Sequence, residues 1–148
     1  MPQGIPTEPP DEFDGPPIDR AHVQRRVDDW LRRLDQLFDG IRNWATANGW
    51  TTTDGKLPML EELMTTFGIP VRDQPTLTLT SPAGAVVFVK PKALWVIGAN
   101  GRVDLYSPQG AFTLVDVAEQ FQPARWTLHR VGKRDGQPFT PAMIADMA

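Results

Sequence analysis

The chain has no cysteine, which excludes disulfide scaffolds, thiol nucleophiles and thiolate metal sites, and removes any pointer to an oxidising compartment. Long apolar runs are missing too. No stretch approaches the roughly 18 apolar residues of a membrane helix, and the first residues lack the basic-then-apolar order of a secretory signal. The expectation is a soluble, unprocessed, cytoplasmic chain with no membrane association. Histidine is scarce, His22 and His129 being the two. The sequence holds no phosphate-binding P-loop, no dinucleotide glycine fingerprint, no paired-histidine zinc helix and no nucleophile elbow. These absences count against most common enzyme classes, and neither a cofactor nor a metal is expected.

What is present suits one domain with a real core: 148 residues, 41% of them hydrophobic, with five tryptophans and seven phenylalanines. The net charge of -3 gives no general attraction to nucleic acid, but it is unevenly spread. The first 19 residues carry Glu8, Asp11, Glu12, Asp14 and Asp19 with no lysine or arginine, whereas "ARWTLHRVGKR" carries Arg125, Arg130, Lys133 and Arg134. Arginine outnumbers lysine 11 to 4 beside much alanine, glycine and proline, a composition that suggests a GC-rich bacterial gene.

Residues 1–18 include six prolines and no periodic apolar pattern, as expected of an extended acidic arm. It can serve as a strap that docks through Ile5, Phe13 and Ile18. Residues 19–148 read as a single α+β domain, with a helical part over 19–68, a sheet over 75–131 and a short C-terminal helix over 140–148. Asp19 is a good N-cap, and Asn48-Gly49 a good stop. Between them Val23, Val27, Trp30, Leu34, Leu37, Ile41 and Trp44 alternate spacings of four and three, which would serve a seam for self-association. Leu31, Phe38 and Ala45 widen the stripe, which favours packing on a globular core. A second helix is expected from Leu57 or Pro58 to Phe67, with "GWTTTDGK" as the turn of a helical hairpin.

From Pro75 the apolar period becomes two, and an antiparallel meander of five to six strands follows, the sixth being "RWTLHRV". "LTSPAGAVVFV" from Leu79 aligns without gaps on "LYSPQGAFTLV" from Leu105, which suggests one hairpin geometry used twice. Asn100-Gly101 predicts a two-residue type I′ turn that sets Trp95 opposite Tyr106. Alternation then sorts Leu94, Val96, Gly98, Val103 and Leu105 onto a core face with Phe112 and Leu114. The first hairpin by the same rule collects Leu77, Leu79, Val86 and Phe88.

The opposite face would carry Trp95, Ile97, Ala99, Arg102, Asp104, Tyr106, Ala111, Thr113 and Val115, too apolar for a face solvated by default. Tyr, Trp and Arg are the residue types enriched at binding hot spots. The leading expectation is therefore a non-catalytic protein–protein interaction module, an immunity or antitoxin-like neutraliser or an accessory subunit. Trp95, Ile97, Arg102, Asp104, Tyr106, Phe13 and Ile18 would be its contact residues. Its partner would be another protein, or a second copy through the long helix. A rival is a nucleic-acid-binding module using Arg125, Trp126, Arg130, Lys133 and Arg134, with cations for phosphates and an aromatic for a base. A weaker one is a small enzyme centred on Asp104, Arg102 and His129, with Lys92 nearby.

Overall fold

The computed structural model describes residues 18–96 and 98–148. Asp19 opens the first helix as a cap, its Oδ1 accepting the His22 N–H at 2.8 Å. That helix, α1, is Arg20–Ala47. It ends at Asn48, where Gly49 takes the left-handed backbone that a side chain would resist, φ 77°. Val23, Val27, Trp30, Leu34, Leu37 and Ile41 are all buried, and Phe38 and Ala45 widen the stripe as expected. This seam lies in the core of its own chain, together with Leu77, Leu79, Leu105 and Leu114.

After α1 come β1 (Thr51–Pro58), α2 (Glu62–Thr66), β2 (Asp73–Thr80), β3 (Val86–Ala93), β4 (Arg102–Ser107), β5 (Gly110–Asp116), β6 (Trp126–Arg130) and β7 (Gly136–Pro138). The seven strands form one open antiparallel sheet in chain order. The class is α+β, an N-terminal helical part followed by an antiparallel meander. A 3-10 helix, Pro141–Met147, buries Ile144 and Met147 at the C-terminal end.

Two strands, β1 and β7, lie outside the expected set. "TTTDGK", polar and holding Asp-Gly, reads as a turn, yet it is the edge strand β1, paired from Thr51↔Thr80 to Pro58↔Asp73. An edge strand shows most of its surface to water, so it carries no alternation to read, while its threonines suit extended backbone. Gly55 allows close approach there, since a Cβ would lie 2.5 Å from Thr76 Oγ1. Because β1 includes Leu57 and Pro58, the second helix shortens to Glu62–Thr66.

The two Ser-Pro-x-Gly turns differ by one residue. Ser107 pairs with Gly110, as expected, so Phe112 faces Leu105 and Leu114 faces Val103. In the first copy Ser81 instead pairs with Ala85, whose N–H also donates to Ser81 Oγ at 2.9 Å. Gly84 supplies the left-handed residue, φ 94°, of a three-residue loop. The slip turns Val87 and Val89 inward and sends Val86 and Phe88 to the other face, correcting the expected register.

Asn100-Gly101 is not a hairpin turn. Strands β3 and β4 pair directly, with Phe88↔Tyr106 and Lys90↔Asp104, and residues 94–96 and 98–101 lie outside both strands as an excursion with a Val96↔Ala99 bridge. Asn100 N–H donates to Asp116 O at 2.8 Å, and its side chain donates to Ala118 O. Gly101 is required for another reason: a Cβ would fall 2.1 Å from the Trp30 ring. This excursion packs against α1 at Trp30 and Arg26.

A buried ionic cluster also packs on α1. Arg33 holds Asp29 Oδ2 and Asp116 Oδ2, each at 2.6 Å, and also donates to Gln122 O. Asp116 Oδ1 accepts from Ala118 N–H at 3.1 Å and Arg125 N–H at 2.9 Å, which shapes the loop between β5 and β6. Every oxygen of this fully buried carboxylate therefore has a donor, the condition for burying a charge.

Candidate interaction face

Alternation along paired strands leaves the sheet with a second face, opposite the one that meets α1. One cross-strand row on it is Thr78, Phe88, Tyr106 and Ala111, and the next is Lys90, Asp104, Thr113, His129 and Gly136. Phe88 and Tyr106 are direct partners, 47% and 46% exposed. Most of the buried hydrophobic residues lie between the sheet and α1, so this outer pair contributes to surface more than to core.

Asp104 organises the centre of the face. It is only 6% exposed, and its oxygens are divided between its strand neighbours. Arg102 Nε donates to Oδ1 at 2.8 Å, and the Tyr106 hydroxyl donates to Oδ2 at 3.3 Å. The negative charge of Asp104, followed by burial and this hydrogen bond, pushes the Tyr106 hydroxyl above the ordinary tyrosine pKa. The acid fixes one guanidinium and one phenol on either side of it along β4, with Lys90 on the facing strand. Such a carboxylate orients its two strand neighbours.

The candidates named from sequence separate into groups. Arg102, Asp104 and Tyr106 come together on this face as expected. Trp95 does not join them: it is partly buried in the excursion, its backbone N–H donates to Glu61 Oε1 at 3.5 Å, and the Arg26 guanidinium lies 5.8 Å from its ring centroid. Burial pulls Arg26 below the usual arginine pKa, with Asp29 opposing the shift. Ile18 is exposed at the head of α1, whereas Phe13 and Ile97 lie outside the described residues. Phe88 was missed because "AVVFV" is apolar at every position, so alternation cannot choose its face. The sequence holds no signal for the longer loop, since Ala85 has its counterpart in Ala111 of the shorter one.

His129 shares the outer face with Asp104, but Thr113 stands between them, two strand spacings or about 10 Å. Its imidazole lies over Gly136, where a Cβ would come 2.4 Å from Cε1. A general acid and base acting on one proton need hydrogen-bond reach, about 2.6–3.2 Å. The pair has no such contact with each other here.

The basic segment is dispersed. Trp126 belongs to the inner side, its ring centroid 6.2 Å from that of Trp30. Arg130 lies over Phe112 at 4.9 Å and donates to Gln109 O at 3.2 Å. Arg125 binds Val117 O, while Lys133 and Arg134 are exposed beyond β6. The expected aromatic platform for a base is therefore packed against the helix.

A shallow cleft of about 260 Å³ beside α2 is lined by Met59, Met64, Ile69, Glu61 and Glu62 among others. It falls below the usual size of small-molecule sites. Among the described residues no cluster of three metal-ligating side chains occurs, and no helix is long and apolar enough to cross a membrane. No protein-family model, curated protein or solved structure matches this chain.

Proposed function

We propose that the chain is a non-catalytic protein–protein interaction module of a bacterial cytoplasm, an immunity or antitoxin-like neutraliser or an accessory subunit, that meets its partner through the outer sheet face. The observation that carries this reading is the exposed cross-strand pair Phe88 and Tyr106, flanked by Lys90, Lys92 and Arg102. Aromatic and arginine side chains contribute most to binding when they are held in place beforehand, because less side-chain entropy is lost. Asp104 does this for Arg102 and Tyr106. The fitting partner presents an apolar centre with acidic groups around it.

The test is capture from lysate of the source cell at low salt, with the full chain as bait. The wild type and a Leu60→Ser control, altered at an exposed site beside α2, should retain the same stoichiometric partner. Phe88→Ser/Tyr106→Ser should lose it without a change in thermal unfolding that accounts for the loss. A chain that stays monomeric and retains nothing, or a double variant that retains the partner fully, overturns the proposal.

A further inference from the structure

We propose that β1 is a dimerisation edge, pairing antiparallel with β1 of a second copy about a twofold axis at Gly55. The two edges of the sheet are unequal. β7 is three residues long, whereas β1 is eight, paired with β2 at every position from Thr51↔Thr80 to Pro58↔Asp73 without a bulge. Among the described residues no strand lies on its other side. A long, regular edge is a template for another strand, because its outward backbone groups have only water as partners.

Which groups point outward follows from one hydrogen bond. Met59 N–H donates to Arg72 O at 2.7 Å, continuing the register of β1 on β2. The odd-numbered residues of β1 therefore turn their backbone groups to β2, and Thr52, Asp54, Lys56 and Pro58 turn theirs outward. Pro58, which has no N–H, stands where the ladder with β2 needs no donor. This alternation leaves the register of a second copy open, and charge selects it. With the axis at Gly55, Asp54 lies opposite Lys56 of the second copy, and Lys56 opposite its Asp54. Shifting the axis by one residue, to Asp54 or to Lys56, sets like charges face to face. Lys56 is exposed and makes no salt bridge among the described residues, while Asp54 holds Arg42 through Oδ1 alone, which leaves Oδ2 for a second cation.

In that register Thr52, Asp54 and Lys56 of each copy donate to Pro58, Lys56 and Asp54 of the other. Gly55 brings no side chain to the axis, where the two backbones approach to about 4.5 Å. Thr52 and Asp54 pair with the buried Leu79 and Leu77, so the charged side chains lie on the α1 side of the sheet, away from Phe88 and Tyr106. The inference is thus independent of the outer-face reading.

Sedimentation equilibrium of the full chain, carried into the millimolar range, should show a monomer–dimer equilibrium. Asp54→Lys and Lys56→Asp should each weaken it about tenfold, since two opposed pairs become like-charged ones, both variants remaining folded by thermal unfolding. Mixing the two should restore a one-to-one heterodimer, because the lysines of one then face the acids of the other. Nitroxides on Thr51→Cys, in a chain with no other cysteine, give the register directly. The labelled backbone positions should lie about 27 Å apart, eight residues out of step at about 3.4 Å each. Phe88→Ser/Tyr106→Ser should dimerise like the wild type. A chain that stays monomeric at that concentration, single variants that dimerise unchanged, a mixture that stays monomeric, a nitroxide separation incompatible with that register, or a dimer lost with Phe88 and Tyr106 overturns the inference.

Discussion

Arg33 on α1 and Asp116 at the end of β5 meet at 2.6 Å, joining positions 83 residues apart in a pair that is 4% and 0% exposed. The helix is thereby held to the far half of the sheet by a charge that water does not reach. Asp116→Ala leaves Arg33 with Asp29 and deprives two backbone N–H groups of their acceptor. Breaking one side of such a pair should cost about 3–5 kcal/mol, whereas Arg33→Met/Asp116→Leu, which removes both charges, should cost less. Urea unfolding of the two variants checks the order.

Gly101→Ala should destabilise by about 1–3 kcal/mol from overpacking, because the new methyl group enters the Trp30 ring and the backbone there is at φ 142°. Trp30→Phe, which shortens the ring, should reduce that penalty. A double-mutant cycle by chemical denaturation should show a non-zero coupling energy; additive losses would contradict the contact.

Tyr106 is the sole tyrosine, so tyrosinate absorbance in the folded protein reports one group. Its midpoint should lie above the ordinary value of about 10 and move down towards it in Asp104→Asn. The sign for stability follows. A folded pKa above the unfolded one means that the folded state holds the proton longer, so this contribution is fully present below about pH 10 and is lost as pH rises through the folded value. Asp104→Asn should flatten that decline in unfolding measured against pH.

Phe88→Ser should cost about 1 kcal/mol or less, the scale of an exposed cross-strand pair. Phe38→Ala should cost about 3–5 kcal/mol, because Phe38 is fully buried. Thermal unfolding separates the two, and equal losses would mean that the outer face is part of the core.

Where the physics was local, the residues announced the structure. Asp19 and Gly49 bound the helix because capping and left-handed backbone are decided within a few residues. The Ser107–Gly110 turn fixed the register of β4 on β5, and with it the shared face of Arg102, Asp104 and Tyr106. Elsewhere the deciding contact lay far along the chain. Asn100-Gly101 has the composition of a hairpin, but the glycine is there for Trp30, 71 positions earlier. The face of Phe88 turned on Gly84, one residue more in the loop before a strand without alternation. β1 was hidden because an edge strand of threonines and an Asp-Gly resembles a connection until its neighbour β2 is known.

The meander order has a kinetic consequence. Each strand pairs with the next one in the chain, so the sheet can grow by successive short closures, each of small entropic cost. α1 emerges ahead of every strand during synthesis, yet Leu114, Asp116 and Leu128, which form part of its seat, come some 70 to 100 residues later. Until then Val23, Val27, Trp30 and Leu34 present an uncovered apolar stripe, the kind of surface that chaperones engage and that drives nascent chains together. The helix made ahead of the sheet is the element whose burial waits for the sheet's later strands.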